Sequence, residues 1–82
     1  SNYKYRFKPS YRIFMVIEGS PADIAGLQKG DVIVKINGEF THQYSLKQLL
    51  GKFQERHNKR IKMLVERDTE LLEFEFRLVK KI

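Results

Sequence analysis

The sequence predicts a small α+β domain with about five antiparallel strands, in a sheet or partly open barrel, and two helices. Three observations support this fold class. The chain has 82 residues, enough for one hydrophobic core. Short segments alternate apolar with charged residues, which is typical of half-buried strands, and two segments start with helix-capping signals. Because no linker or repeat interrupts the chain, we interpret residues 1–82 as a single domain, and we expect it to be a piece of a larger protein.

The first two predicted strands precede any helix. Over residues 3–8, aromatic side chains, Tyr5 and Phe7 among them, alternate with basic ones such as Arg6. That period of two predicts a strand with one apolar face. Residues 12–18 follow as an unbroken β-branched and aromatic run, which predicts a central strand covered on both faces.

Turn-forming residues delimit the first helix and the strand after it. Ser20 is a candidate N-cap and Gly26 a candidate stop, so we predict a helix over residues 21–25. A strand over residues 32–36 follows. The Asn-Gly pair that ends it predicts a tight type I′ turn.

The second half of the chain predicts a longer helix and a hairpin. Ser45 opens a Ser-x-x-Gln capping box, and leucines follow at helical spacing, which predicts an amphipathic helix over residues 46–56. Gly51 inside this helix costs ~1 kcal/mol relative to Ala, so we expect a close backbone approach or a bend there. Residues 61–66 and 71–79 alternate in character and predict two antiparallel strands, the second of which closes the sheet at the C-terminus.

The predicted core lies between the second helix and the sheet. Leu49 and Phe53 are four residues apart and therefore share one face of that helix. Their expected neighbours on the sheet are Ile17, Ile33, Ile36, Met63, Val65, Phe74 and Phe76.

Four short motifs follow one another in the first half of the chain. They are Gly19-Ser20-Pro21-Ala22, Ala25-Gly26-Leu27, Gly30-Asp31-Val32-Ile33 and Ile36-Asn37-Gly38. Together they resemble the central signature of PDZ domains. A closing strand at the end of the chain is similar to the circularly permuted PDZ domains of bacterial proteases, such as retropepsin-like aspartic proteases and carboxy-terminal processing proteases. The resemblance implies an attached protease domain and a periplasmic or cell-envelope location.

The resemblance also implies a non-catalytic, regulatory peptide-binding module. PDZ domains bind an extended peptide or a protein C-terminus by strand addition between an edge strand and the second helix, which here are residues 5–8 and 46–56. The family's Gly-Leu-Gly-Phe carboxylate loop corresponds to residues 4–7, where both glycines are missing. The implied peptide-binding residues are Tyr5, Arg6, Phe7, Leu46 and Leu50. Because most of them are apolar, the implied ligand is hydrophobic.

Catalysis, metal binding and cofactor binding have little support in the sequence. Ser20 and Ser45 are expected to be helix caps, so neither is a candidate nucleophile. His42 and His57 do not have the spacing of a zinc site, and the chain has no cysteine. The longest apolar run, residues 13–17, is far shorter than the roughly 18 to 20 residues that span a bilayer. We therefore expect no enzyme activity, no cofactor and no membrane span in this chain.

The net charge of +6 favours association with polyanions in general. Aromatic and basic residues that alternate over residues 3–8 could stack on nucleotides. Since that alternation places all the aromatic side chains on the inward face, we expect no specific nucleic-acid partner. Structural docking and self-association without free-peptide binding stay open as alternatives.

Overall fold

The computed structural model describes residues 10–55 and 59–78 and contains, within them, a five-stranded antiparallel sheet and two α-helices. In chain order the elements are β1 (Tyr11–Arg12), α1 (Pro21–Ala25), β2 (Val32–Ile36), β3 (Glu39–Phe40), a 3-10 turn (Thr41–Gln43), α2 (Leu46–Glu55), β4 (Arg60–Arg67) and β5 (Glu70–Arg77). The strand order is β1-β2-β4-β5, with β3 paired to β2. The predicted α+β class, with its last strand at one end of an open sheet, is confirmed.

Both helices begin where the capping signals predict. The Ser20 hydroxyl accepts a hydrogen bond from the Asp23 backbone N–H at 3.2 Å, and Gly26 ends α1 in the left-handed conformation at φ 112°. At the start of α2, the Ser45 hydroxyl accepts from the Gln48 N–H at 3.2 Å, and the Gln48 side-chain oxygen accepts from the Ser45 N–H at 2.9 Å. These bonds satisfy N–H groups that a helix start would otherwise leave unpaired.

The Asn-Gly turn forms as predicted, and the second hairpin has a turn of the same geometry. Asn37 and Gly38 have φ of 51° and 84° between β2 and β3. Asp68 and Thr69 have φ of 50° and 68° between β4 and β5. Positive φ at both central residues is the type I′ geometry that matches the twist of a hairpin.

The core lies between α2 and the inner face of the sheet. Its buried apolar residues are Leu27, Ile36, Leu49, Ile61, Met63 and Val65. Partly buried residues pack against them, among them Ile33, Phe53, Phe74 and Phe76. The predicted core is confirmed with one exception: Ile17 is 52% exposed and lies outside the core.

The central strand predicted over residues 12–18 is wrong. Strand β1 ends at Arg12, and residues 13–17 belong to no strand. Phe14 and Met15 are 82% and 70% exposed, so this apolar segment is not covered on both faces.

The chain just before β2 explains why the strand stops. The Gly30 N–H donates to the Ile13 carbonyl at 2.8 Å, but Gly30 itself has φ 94° and lies in a turn. Because β2 begins only at Val32, it offers no ladder beyond Ile13. An apolar run becomes a buried central strand only if the segment next to it in the sheet is also extended.

A buried ion pair connects the loops at one end of the sheet. Asp31, 1% exposed, accepts hydrogen bonds from Arg67 Nε and Nη2, both at 2.8 Å. Arg67 Nη2 also donates to the Gly26 carbonyl at 2.8 Å. The hydrogen bond from Arg67 lowers the pKa of Asp31, and the same bond raises the pKa of Arg67. One guanidinium therefore joins the end of β4 to the start of β2 and the end of α1.

Gly51 is not required by packing, so the expected close backbone approach is wrong. A Cβ at this position would meet nothing within 4 Å, and α2 continues through it from Leu46 to Glu55. We expect Gly51→Ala to raise the unfolding free energy by about 0.5 to 1 kcal/mol in urea denaturation, because Ala loses less backbone entropy in a helix. Gly26→Ala is the matched control and should lower stability, since its Cβ would lie 3.1 Å from the Phe74 ring at a positive φ. An unchanged or lowered midpoint for Gly51→Ala would contradict the prediction.

Candidate functional site

Helix α2 has one apolar face in the core and a second one open to solvent. Leu49 is 3% exposed, whereas Leu46 and Leu50 are 58% and 52% exposed. Residues four apart are neighbours on a helix surface, so Leu46 and Leu50 form one continuous apolar strip. We call these two residues the open leucine pair.

The other side of α2 is held against the sheet. Lys52 lies about 120 to 160° around the helix from the two residues of the open leucine pair. Its Nζ contacts Glu39 Oε1 of β3 at 3.1 Å and lies 4.5 Å from the centre of the Tyr44 ring. The hydrogen bond to Glu39 raises the pKa of Lys52. These contacts hold the Lys52 side of α2 next to β3, so the open leucine pair lies on the side of the helix that faces away from β3.

The turn that leads into α2 is itself fixed to β2. Thr41 is 3% exposed, and its hydroxyl lies 2.6 Å from the Ile33 carbonyl and 3.2 Å from the Val34 carbonyl. These carbonyls lie where the ladder between β2 and β4 shifts register, between Ile33 and Lys35. A bulge leaves backbone groups without hydrogen-bond partners in the ladder. The Thr41 hydroxyl donates a hydrogen bond to one of these carbonyls and so holds the turn before α2 against β2.

Two of the five predicted binding residues lie in the described part of the chain. The structure places Leu46 and Leu50 together on the open face of α2. Tyr5, Arg6 and Phe7 lie outside the described residues, so the edge strand expected over residues 5–8 stays a prediction.

The sequence did not single out the side chains that orient α2. Lys52 and Glu39 are 13 positions apart and belong to different elements, so no helical or strand spacing links them. Thr41 could have been noticed, because a small hydroxyl residue directly after a strand often hydrogen-bonds to backbone groups. Its partners in β2 are visible only in three dimensions.

Other chemistry has no assembled site in the part of the chain that is described. Among those residues, no group of three or more His, Asp or Glu side chains is arranged to hold a metal ion. His42 is half-buried and its ring lies 5.4 Å from the Phe40 ring, while His57 is outside the described residues. No helix within residues 10–55 and 59–78 has the length and apolar character to cross a membrane.

A family model described as a PDZ domain matches residues 15–67, which is more than half of the chain. The chain belongs to the PDZ domain family. The matched span runs from the exposed residues after β1 to the last residue of β4 and includes both helices. PDZ domains are peptide-binding modules for protein interaction and are typically not catalysts. This PDZ domain is therefore a protein-interaction module.

Proposed function

We propose that this PDZ domain is a non-catalytic regulatory module of a larger bacterial protease and binds an extended peptide or protein C-terminus by strand addition. The ligand lies between residues 5–8, acting as an edge strand, and helix α2. Main-chain hydrogen bonds to the edge strand supply affinity in this mode, and pockets for alternate side chains supply specificity.

The open leucine pair is the observation that supports this proposal most directly. Leu46 and Leu50 are more than half exposed on a helix whose opposite side is held by Lys52. Because about half of each side chain is already buried, covering the rest with a ligand contributes up to ~1 to 1.5 kcal/mol each. Strand addition beside α2 would cover both of them at once.

The chemistry of the leucine pair favours apolar ligand side chains. Leu46 lies opposite the ligand's third-from-last residue in the proposed arrangement and offers no hydrogen bond to a hydroxyl. Tyr5, Phe7 and Leu50 would line the pocket for the terminal residue. We therefore propose that the preferred ligands end in an apolar-x-apolar pattern, with Arg6 attracting the terminal carboxylate by charge.

Screening a carboxy-terminal peptide library against the domain tests this function. We expect peptides with apolar last and third-from-last residues to be selected, and we expect Leu50→Glu to weaken their binding at least about tenfold, since a charge would replace an apolar contact. Fluorescence anisotropy with one selected peptide gives the two dissociation constants.

Leu71→Glu is the matched control for this experiment. Leu71 lies on β5 and is 64% exposed, so the same change is made at an equally accessible leucine away from α2. Its affinity for the peptide should equal that of the unmodified domain. Selection of hydroxyl or charged residues at the third-from-last position, or equal binding by Leu50→Glu, would reject the groove beside α2.

The protease context is proposed from the order of the strands. Among the described residues, strand β5 comes last and pairs with β4 at one end of the sheet. This order resembles that of the permuted PDZ domains of bacterial envelope proteases. We propose a periplasmic or cell-envelope location and a protease domain in the same polypeptide. An intact gene that encodes no protease domain would reject this attachment.

A further inference from the structure

The basic residues of this chain are concentrated where β4 begins and β5 ends. Residues 56–62 and 77–82 contain seven Lys or Arg residues and no Asp or Glu, out of 16 basic and 10 acidic residues in the whole chain. The net charge of the chain is +6, so these two stretches carry more positive charge than the whole molecule has in excess. Concentrated charge of one sign favours partners of the other sign.

The ladder between β4 and β5 brings the two basic stretches together. Arg60 lies directly opposite Arg77, and the Leu78 N–H donates to the Lys59 carbonyl at 3.0 Å. Arg60 and Lys62 alternate with buried residues along β4, so their side chains lie on the solvent face of the sheet. We call Lys59, Arg60, Lys62 and Arg77 the basic corner, and all four are exposed.

Glu75 compensates only part of this charge. It lies opposite Lys62 in the ladder, and its carboxylate is 3.9 Å from Arg60 Nη1. An ion pair between exposed side chains contributes little, and like charges directly opposite one another, as Arg60 and Arg77 are, destabilise a sheet. Counting Glu75, the basic corner has an excess of three positive charges. An anion held against it would relieve the repulsion among them.

A shallow depression beside the basic corner has donors suited to a phosphate. It has a volume of about 470 Å³ and is lined by Asn37, Gly38, Arg60, Lys62 and Glu75. The Asn37 side-chain oxygen accepts from the Lys62 backbone N–H at 2.9 Å, which leaves its amide nitrogen as a donor. A guanidinium matches the geometry of phosphate oxygens, and an ammonium adds a point charge.

We propose that the basic corner binds an anionic phospholipid surface, with lipid phosphates against Arg60, Lys62 and the Asn37 amide. The cations lie on an open sheet face and not in a cleft, so they suit an extended charged surface. Each Lys or Arg near an anionic membrane surface strengthens binding about fivefold. Four of them therefore give a reversible, peripheral association.

The described residues of the corner favour a lipid surface over a nucleic acid. Proteins that bind single-stranded nucleic acid stack its bases on aromatic side chains. Within residues 59–62 and 75–78 the aromatic residue is Phe76, which packs against the core. The corner therefore offers charge and hydrogen-bond donors to phosphates, and it offers no ring to bases.

Co-sedimentation of the full chain with vesicles at about 0.1 M salt tests the proposal. We expect binding to vesicles of phosphatidylglycerol and phosphatidylcholine in equal parts, and none to phosphatidylcholine alone. Lys62→Glu and Lys59→Glu should each raise the lipid concentration needed for half-maximal binding at least about tenfold, because each replaces an attracted charge with a repelled one. Circular dichroism should accompany both variants, since Lys62→Glu places two glutamates opposite each other. Lys59→Glu tests the corner if Lys62→Glu does not fold.

Lys47→Glu is the matched control, because it changes the net charge of the chain by the same amount. Lys47 is exposed and lies about 12 Å along α2 from the end of the helix at Glu55. Its half-maximal lipid concentration should change less than about threefold, since charges more than about 10 Å away are largely screened at this salt.

Four outcomes would overturn the proposal. The unmodified chain could stay in solution with the mixed vesicles, or both corner variants could bind as the unmodified chain does. An equal loss in Lys47→Glu would assign the association to net charge alone. Duplex DNA at the same phosphate concentration could bind more tightly than the vesicles and lose binding in the corner variants, which would assign the corner to nucleic acid.

Discussion

A chain that ends after Arg67, and so lacks β5, is expected to lose cooperative thermal unfolding. Strand β5 pairs with β4 along its whole length, from Arg67 opposite Glu70 to Arg60 opposite Arg77. It also brings the inward-facing side chains of Leu72, Phe74 and Phe76 to the core. Without them, one side of the core opens to water and β4 becomes an exposed edge.

Differential scanning calorimetry and near-ultraviolet circular dichroism measure this effect. The shortened chain should show no sharp heat absorption and little fixed aromatic signal, because Ile61 and Val65, both at 0% exposure, would lose the strand that covers them. Glu73→Gln is the control: it changes an exposed side chain of β5 and keeps the ladder, so it should melt cooperatively. A sharp transition in the shortened chain would show that β5 is not needed for the fold.

The elements that local chemistry defines could be predicted from the sequence. A cap, a stop and a type I′ turn each depend on neighbouring residues, so Ser20, Gly26 and Ser45 predicted helix ends that the structure confirms. Alternation over β4 also predicted which side chains face inward. These signals involve short spacings, and the tertiary structure does not override them.

The environment of residues 13–17 could not be predicted in the same way. Their apolar character indicates only that they would gain by being covered, and it does not say whether the chain itself covers them. The turn through Gly30 ends the pairing with β2, so Phe14 and Met15 stay exposed. An apolar run without alternation therefore predicted a central strand where the structure has an exposed surface.

The ion pair between Asp31 and Arg67 was also missed, because the two residues are 36 positions apart. In the sequence, Asp31 was noted only within the Gly30-Asp31-Val32-Ile33 motif, and Arg67 lies one residue beyond the strand predicted over residues 61–66. The sequence does contain a signal for this pair. An acidic residue at the start of a buried strand needs a partner, and Arg67 ends β4, the strand that pairs with β2. The candidate site was predicted in part for the same reason, since helical spacing identified Leu46 and Leu50 but not the residues that orient their helix.

Replacing Asp31 is expected to cause a substantial loss of stability. Asp31→Asn should lower the unfolding free energy by about 1 to 3 kcal/mol, because it removes the charge of a buried, hydrogen-bonded group. Arg67 keeps part of its hydration, since 24% of its side chain is exposed. Four hydrogen bonds depend on the arrangement: two from Arg67 to Asp31, one from Arg67 to the Gly26 carbonyl and one from the Gln28 N–H to Asp31. Glu66→Gln is the control, since Glu66 is exposed and lies next to Arg67 in the chain. The unfolding free energy of this variant should change little.

The pH dependence of this loss shows how much of the stabilisation comes from the charge of Asp31 and how much from its packing and hydrogen-bond geometry. The pKa of Asp31 in the folded protein is lowered from 3.8 by its hydrogen bond to Arg67, so the ionised group stabilises the fold above the unfolded value. That contribution decreases as the pH falls below 3.8 and through the lowered folded pKa. Urea denaturation at neutral pH and at about pH 2 should therefore show that the stability advantage of the unmodified domain over Asp31→Asn shrinks on acidification. An advantage of equal size at both pH values would assign the stabilisation to packing and hydrogen-bond geometry, with no contribution from the ionised carboxylate.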